Sequence, residues 1–467
     1  MTSFFSFFNK VRAEKFFLFT SLFFGLCFLF ITPPFQVPDE PNHFYRTWQI
    51  AEGELISVKQ DKRVGGNLPT SLEKLVHSYT RMIGVKDFKI KDLEIQKIRE
   101  IPLEQEQQKF YDFNNTALYS PVCYIPGAIA IFITNLCNAN PFYAFYLARL
   151  FSLLTWIMLV FCAIKILPFY KWLFSFLALL PMSLFVNMSL SADVITNAVC
   201  FLFIATVIGY AYDPFAFNAT RRAKLLGVIV LLVSIKLVYA PLLLLLLVIP
   251  GDKFTSLKNR VFNLGVLVLA GLVFFVFWNT LLSPLYINYE NYNPQFRDGA
   301  ALVNGADAGK QMHLILHGGW YFYDVVVKSS TFAFDMYFNG YIGTFGWLEF
   351  SLPFWLVCCA YCALILLSLA DGSSQLHVGL GTKFIFLLSF VIILFLVLLS
   401  QHLIWDYVGA EFIVTLQGRY FIPFVPLFFV VFYNRLFSAK KLSMFLSISI
   451  TLICLIISLQ LIWTRYI

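Results

Sequence analysis

The sequence predicts an all-α fold, a polytopic bundle of transmembrane helices. Of its 467 residues, 59% are hydrophobic and only 13% are charged. The apolar residues form runs of about 17 to 25, the length that crosses a bilayer as a helix. These runs lack the alternating polar residues of a barrel strand, and a helix satisfies its backbone polar groups within lipid. We therefore expect helical spans with membrane lipids as their immediate partners.

The formal net charge of +8 is explained by topology rather than by an acidic partner. Lys and Arg collect in the cytoplasmic loops of membrane proteins, so nucleic acid is not indicated. The first apolar run follows the basic residues Lys10, Arg12 and Lys15 and is too long for the apolar region of a signal peptide. We expect an uncleaved anchor with a cytoplasmic N-terminus.

The topology follows from the distribution of basic residues around the apolar segments. The candidate spans are residues 16–35, 119–137, 142–164, 171–188, 193–212, 225–249, 261–283, 351–370, 383–402, 420–437 and 442–463. If all of them crossed, the basic cluster at 221–224 would lie outside, against the positive-inside bias. The conflict disappears if two of them do not cross.

Segments 119–137 and 225–249 are the two that we expect not to cross. The first carries Pro121 and Pro126 near its start, and we expect it to lie along the outer face. The second has Lys236 at its middle and Pro241 shortly after it, a pattern typical of two half-helices that turn back and line a cavity. The prediction is then about nine full spans, one re-entrant hairpin and interfacial helices.

This topology divides the chain into five regions. We expect an N-terminal anchor helix, a first extracytoplasmic loop with an interfacial helix and a small soluble insertion, central transmembrane helices, a second large extracytoplasmic loop, and C-terminal transmembrane helices. Their bounds are residues 1–35, 36–118, 119–283, 284–350 and 351–467.

Two adjacent acids directly after the first span begin the candidate site. The stretch "DEPNHFYRTWQIAEG" predicts a short helix with Asp39 as N-cap and an apolar side formed by Phe44 and Trp48. An amphipathic anchor at the lipid headgroups is one interpretation of this helix. A functional site is the other, because ionisable groups at a low-dielectric boundary need partners or a task.

The same helix carries further ionisable candidates. His43 and Arg46 are three residues apart and share a face, with Glu40 one turn before His43. We take Asp39 and Glu40 as candidate catalytic acids, and His43 and Arg46 as candidate substrate-binding residues.

Two more candidates lie near the predicted outer ends of later segments. Asp193 follows "NMSLSA" at the start of a span, where a helix cap is the alternative interpretation. Lys236 lies near the apex of the predicted hairpin, and an intramembrane lysine is functional by default, although snorkelling is the alternative.

The third group lies in the last third of the chain. "LQGRYFIP" places Gln417 and Arg419 at the outer start of a span, and the planar guanidinium of an arginine binds phosphate or carboxylate through two hydrogen bonds. Pairing of Arg419 with Asp406 or Glu411 is the alternative. Glu349, in "GTFGWLEFSLP", is either a further acid of the site or a helix cap.

The motifs "VPDEPNHFYRTWQIAEGELI", "SADVITN", "SIKLVYAP", "GTFGWLEFSLP" and "QGRYFIP" also occur in this order in a known family. The chain resembles bacterial multi-pass membrane proteins of unknown function that are grouped with the GT-C glycosyltransferases. The similarity covers most of the chain, and its opening and closing motifs are the most specific.

This resemblance implies a glycosyltransferase in the cytoplasmic membrane of a bacterium. GT-C enzymes transfer a sugar from a polyprenyl-phosphate donor to an acceptor at the outer surface, here a glycan, lipid or protein of the cell envelope. Their first outward loop carries an acidic residue, which Asp39 or Glu40 matches, and Asp193 resembles a second one. Since no clear D-x-D motif is present, the resemblance implies neither a metal ion nor another cofactor.

Two other classes of function remain open from the sequence. A transporter or flippase of a lipid-linked glycan also uses broken helices, but its charged groups would lie near the midplane. A noncatalytic protein of envelope assembly would tolerate replacement of Asp39, Glu40 and Arg419.

Overall fold

The computed structural model describes residues 11–467, so the start of the predicted anchor region, with Lys10, lies outside the described residues. The chain is mostly helical. In the first half the helices are α1 (Ala13–Ile31), α2 (Glu40–Ala51), α3 (Thr70–Thr80), α4 (Asp92–Arg99), α5 (Asn114–Ala117), α6 (Ile125–Leu136), α7 (Pro141–Ile166), α8 (Lys171–Ala178), α9 (Pro181–Asn187), α10 (Ala192–Tyr212) and α11 (Ala219–Ile235).

The second half continues the bundle. Its helices are α12 (Leu257–Leu282), α13 (Ala308–His317), α14 (Tyr321–Phe332), α15 (Phe334–Gly343), α16 (Phe354–Ala370), α17 (Leu380–Trp405), α18 (Val425–Val430) and α19 (Lys440–Tyr466). Short 3-10 segments lie at Pro121–Tyr124, Leu237–Val248, Gly251–Lys253, Ser283–Leu285, Tyr289–Asn291 and Gly418–Phe421.

Within residues 11–467, six helices are long and apolar enough to cross a membrane, namely α1, α7, α10, α12, α17 and α19. Three further predicted spans fall on shorter or interrupted segments. Residues 171–188 form α8 and α9 with Pro181 at the break, residues 351–370 form the shorter α16, and residues 420–437 contain only α18 and part of a 3-10 turn. That these three segments cross stays a prediction.

The end of the bundle that carries residues 32–118 is called the cap end below. Helix α6 keeps both of its ends there. Tyr124, just before α6, lies 2.8 Å from His43 of α2, and Asn140, just after it, donates a hydrogen bond to the Arg99 carbonyl of α4. A helix of 12 residues is also too short to span a bilayer. This placement agrees with the prediction for segment 119–137.

Residues 217–254 form a hairpin whose two ends meet. The Phe217 amide donates to the Lys253 carbonyl over 2.8 Å, so the arm formed by α11 and the returning arm Leu237–Val248 begin and end at the same level. Lys236 lies between the arms in an extended conformation (φ −144°, ψ 127°). The hairpin and its break at Lys236 are therefore present as the sequence predicts, and the re-entrant position of its two arms in the membrane stays a prediction.

The cap end contains a β-sheet that the all-α prediction missed. Its strands β1 (Val58–Gln60), β2 (Arg63–Pro69) and β3 (Gln108–Asp112) pair antiparallel in the order β1-β2-β3. Strand β2 contains Gly65 and Gly66. A Cβ on Gly65 would lie 1.8 Å from the Tyr111 carbonyl oxygen, so the close strand approach requires glycine there. A two-stranded pair, β4 (Thr344–Phe345) and β5 (Phe350–Ser351), lies in the second loop.

Helix α2 is a core element rather than an interfacial one. Phe44 and Trp48 are fully buried, as its predicted apolar side requires, but Glu40, His43 and Arg46 on its other sides are buried as well. Strand β2 of the sheet, α5 and α6 pack against α2. Its polar side chains therefore have protein partners instead of lipid headgroups.

Candidate functional site

A cavity of about 420 Å³ lies at the cap end, beside the apex of the hairpin. One wall is polar and carries Asp39, His43 and Lys236, so we call it the charged cavity. Helices α12 and α17 contribute the other wall. That wall is mostly apolar or aromatic, with Phe275, Trp278, Leu282, Val397, Ile404 and Trp405.

Asp39 is held in the charged cavity by a strained backbone. It occupies the N-cap position of α2, as the sequence predicts, but with φ at 67° and without a side-chain capping hydrogen bond. A left-handed conformation is uncommon outside glycine, and such strain concentrates at functional sites. Its Oδ2 accepts a hydrogen bond from Arg419 Nη2 over 2.9 Å. Its side chain is 39% exposed, and Oδ1 is not engaged by any described residue.

Arg419 is placed by a tight contact between the 3-10 turn Gly418–Phe421 and α15. A Cβ on Gly418 would lie 2.2 Å from the Tyr341 nitrogen, so only glycine permits this approach. The Arg419 side chain is 3% exposed, and its Nε is buried without a hydrogen-bond partner among the described residues. The guanidinium therefore has at least one further N–H, at Nε, that can donate a hydrogen bond to a ligand.

Lys236 forms a second ion pair with Asp193 across the cavity wall. The two side chains meet at 2.7 Å and are 19% and 16% exposed. Ser191, not Asp193, caps α10, and Lys236 ends α11, so each charge lies at the helix end where the dipole favours it. The Lys236 ammonium also lies 4.9 Å from the centroid of the Tyr119 ring. Neither the helix-cap interpretation of Asp193 nor snorkelling of Lys236 describes this pair.

His43 lies among these charges and is neutral. Its ring is parallel to that of Tyr119 within 9°, with centroids 6.2 Å apart, and its Nδ1 lies 2.8 Å from the Tyr124 hydroxyl. Burial lowers the pKa of His43 to about 4, although the negative charges of Asp39 and Asp193 act in the opposite direction. The Asp39 carboxylate, the Lys236 ammonium and an uncharged imidazole thus line the cavity, and Arg419 and Asp193 pair with the first two from outside its lining.

Glu40 lies apart from the charged cavity, in a fully buried ion pair with Arg149 of α7. Arg149 Nε and Nη2 donate to the two Glu40 carboxylate oxygens at 2.8 and 2.6 Å. The Phe35 and Leu190 amides each donate to the same carboxylate at 3.0 Å. Both side chains are 0% exposed, so Glu40 has no free face for a substrate.

The predicted site residues Arg46 and Glu349 also lie outside the charged cavity. Arg46 donates to Gln49 and to the Leu55 carbonyl, which fixes the turn after α2. Glu349 accepts hydrogen bonds from Arg465 at 3.0 Å and from the Gly84 amide at 2.9 Å. This interaction ties α19 to the cap and replaces the helix cap that the sequence suggested.

Gln417 and the alternative partners of Arg419 occupy different places. Gln417 lines a second cavity on the far side of Gly418. Asp406 bonds to His402 at 2.8 Å, and Glu411 bonds to Lys328 at 3.0 Å. Pairing of Arg419 with Asp406 or Glu411 is therefore wrong, since its partner is Asp39.

Several residues that line the charged cavity were not predicted from the sequence. Tyr119, Tyr420, Asn115, Trp278 and Gln401 all line it. Tyr119 could have been predicted, because it is the first residue of the segment that we expect to lie along the outer face. Trp278 and Gln401 are single polar groups near the ends of long apolar spans, and nothing in the sequence distinguishes them from interfacial belt residues.

Among residues 11–467, no group of three or more His, Cys, Asp or Glu is arranged to hold a metal ion. A family model described as "Predicted membrane protein (DUF2142)" matches residues 22–428. No curated protein and no solved structure matches the chain.

Proposed function

We propose that this chain, which belongs to the DUF2142 family of predicted membrane proteins, is an integral membrane glycosyltransferase. It would transfer a sugar from a polyprenyl-phosphate-linked donor to an acceptor at the cap end, which is the extracytoplasmic face in this proposal. One observation carries the proposal. Asp39, which has a free carboxylate oxygen, and Lys236 come from distant parts of the chain and line one cavity that also has an apolar, membrane-helix wall, and the buried Arg419 bonds Asp39 there.

Asp39 is the general base in this proposal. Its Oδ1 is free, and its side chain is 39% exposed, so it can accept the proton of an incoming hydroxyl. Glu40, one residue later, cannot serve because its carboxylate already accepts two hydrogen bonds from Arg149 and two from backbone amides. We therefore assign the base to Asp39 alone.

Lys236 and Arg419 would stabilise the leaving phosphate. As the acceptor oxygen bonds to the anomeric carbon, the bond between that carbon and the phosphate oxygen breaks, and negative charge develops on the lipid phosphate. Fixed donors aimed at developing charge are worth several kcal/mol in a low-dielectric site. Trp278 Nε1 and Arg419 Nε are buried donors without a partner among the described residues, and they suit the oxygens of a phosphate. No cofactor is required for this step.

The lipid part of the donor would enter between α12 and α17. Each helix packs on one arm of the hairpin, and only 17% and 22% of their apolar windows are buried within the protein. Phe275 and Leu282 of α12 and Val397 and Ile404 of α17 line the cavity between them. A polyprenyl chain can therefore remain in the bilayer while its phosphate reaches Lys236.

A transfer assay tests the proposal. The purified chain, in nanodiscs, receives a panel of polyprenyl-phosphate sugars and candidate envelope acceptors. We expect Asp39→Asn to lower kcat by about two to four orders of magnitude. The matched control is Glu411→Gln, which removes an exposed carboxylate paired with Lys328 and should leave transfer unchanged. Equal transfer by Asp39→Asn and wild type would remove the base assignment.

Movement of a lipid-linked glycan across the membrane is the second candidate. The broken hairpin at Lys236 suits it, whereas the placement of the charges at the cap end favours transfer. A flippase would move a fluorescent polyprenyl-phosphate sugar across liposome bilayers without forming a new glycoside. That result, with no transfer to any acceptor, would replace the glycosyltransferase proposal.

A further inference from the structure

A second cavity, of about 260 Å³, lies on the other side of the Gly418–Phe421 turn. Asn339 of α15 and Gln417 face it from opposite elements, and we call it the amide cavity. Its remaining lining is Met182, Asp335, Met336, Gly340, Thr344, Leu348, Ser351 and Gly418. The proposed chemistry at Asp39 does not use any of these residues.

The amide cavity presents hydrogen-bond acceptors. Asn339 Oδ1 and Gln417 Oε1 are both buried, and neither accepts a hydrogen bond from a described residue. A buried acceptor left unpaired costs about 1–3 kcal/mol, so two of them in one cavity indicate a ligand that supplies donors. The Asp335 carboxylate adds a third acceptor at the edge, where this residue is exposed.

The two cavities differ in their buried hydrogen-bonding groups without partners, which are donors at the charged cavity and acceptors at the amide cavity. The buried Trp278 N–H, which has no partner among the described residues, lines the charged cavity together with the Lys236 ammonium, and both fit a phosphate. Buried carbonyl acceptors without partners lie at the amide cavity, and no Lys or Arg lines it. A phosphate or carboxylate would meet the negative charge of Asp335 and no cation there. A neutral group with several O–H donors fits instead, and Met336 and Leu348 offer apolar contact for its C–H face.

We propose that the amide cavity binds a neutral polyhydroxylated group, a saccharide, and that this saccharide is the acceptor of the transfer. The second part rests on the proposed function. Three consecutive residues connect the two sites, because Gly418 lines the amide cavity, Arg419 bonds Asp39, and Tyr420 lines the charged cavity. In this proposal a hydroxyl presented from the amide cavity reaches Asp39 along the turn that carries Arg419.

This arrangement accounts for the atoms of the reaction. The acceptor hydroxyl gives its proton to Asp39 Oδ1, and its oxygen forms the new bond to the anomeric carbon. The phosphate leaves on the other side with the bonding electrons, towards Lys236. Attack from one side and departure on the other inverts the configuration of the anomeric carbon.

Binding of sugars can be measured without any donor. The full chain is transferred from a non-glycosidic detergent into nanodiscs, since glycosidic detergents would occupy the site. Saturation-transfer NMR then reports binding of the methyl glycosides of glucose, galactose and N-acetylglucosamine, and of the corresponding alkyl glycosides in a separate series. Methyl glycosides test a free sugar, and alkyl glycosides test a sugar carried as a lipid headgroup.

We expect at least one glycoside in either series to bind the wild type, and Asn339→Leu and Gln417→Leu each to weaken it about tenfold. Asn135→Leu is the matched control, because Asn135 Oδ1 is also buried without a partner but lines neither cavity. Should the test variants fold poorly in a melting assay, a diazirine-bearing methyl glycoside on wild type should label residues 335–351 or 417–418.

Other results would overturn the inference. These are no glycoside binding to the wild type, equal binding by all variants, labelling confined to other regions, or binding of Ca²⁺ with no glycoside. The proposed function is decided separately, because Asp39→Asn should keep glycoside binding whether or not it loses transfer. Glycoside binding together with unimpaired transfer by Asp39→Asn would retain the sugar site and reject the base.

Discussion

Substitution of Arg149, the partner of Glu40, should strongly lower the stability of the protein, whereas substitution of Asp39, the residue next to Glu40, should not. In Arg149→Met, the Glu40 carboxylate stays fully buried and keeps only the Phe35 and Leu190 amides. The carbonyls of Leu29, Thr32 and Pro33 lose their donors as well. Breaking a buried pair on one side costs about 3–5 kcal/mol, and we expect a loss in that range. The Asp39–Arg419 pair is partly exposed, so Asp39→Asn should cost about 1 kcal/mol or less.

The assay uses the free cysteines of the chain. Exposed thiols are first blocked with N-ethylmaleimide, and unfolding in increasing SDS is followed with a thiol-reactive dye that reports the buried Cys123, Cys200 and Cys454. The double variant Glu40→Gln with Arg149→Met should recover most of the lost stability, because no uncompensated charge remains. If Arg149→Met unfolds like wild type, or if Asp39→Asn loses as much stability as Arg149→Met, the division of roles between the two acids is wrong.

Three further predictions concern the site. Lys236→Met should lower kcat for transfer by about a hundredfold or more, and adding Asp193→Asn should restore the SDS unfolding midpoint but not kcat. His43 contributes stability that is present above pH 6.5 and is lost as the pH falls towards its folded pKa of about 4, and this loss is on the order of 3 kcal/mol. In His43→Gln the free energy of unfolding, measured between pH 4.5 and 7.5, should therefore depend less on pH. Gly418→Ala should lower both stability and transfer because its Cβ meets the backbone of α15, while Gly379→Ala, where a Cβ meets nothing within 4 Å, should behave as wild type.

The sequence predicted the parts of the fold that depend on hydrophobicity and charge. The long spans, the hairpin at Lys236 and the placement of 119–137 at one end follow from apolar length, proline and the positive-inside bias. The meeting of Asp39 with Arg419 and of Asp193 with Lys236 agrees with the expected convergence. What it could not supply was the pairing itself, because Asp39 and Arg419 are 380 residues apart in the chain.

The distinction between the two adjacent acids also required the structure. Asp39 and Glu40 have the same chemistry and nearly the same position. Arg149, which lies in the middle of an apolar helix and was not singled out, decides that Glu40 is structural. The sheet was missed for a related reason, since Gly65 and Gly66 are explained by the approach of Tyr111 and Gln49 rather than by their own conformational preference.

The pairing of both cations before any substrate binds has a consequence for the proposed reaction. Arg419 and Lys236 each have a carboxylate partner, Asp39 and Asp193, and both pairs keep some exposure to solvent. A donor phosphate would compete for the same guanidinium, and its oxygens would add a bond to the buried Nε of Arg419. As Arg419 turns to the phosphate, Asp39 Oδ2 loses its hydrogen bond, and both carboxylate oxygens are then free to accept the acceptor's proton. Deprotonation of the acceptor is thereby linked to donor binding in the proposed reaction, and the acceptor hydroxyl stays protonated when the donor site is empty.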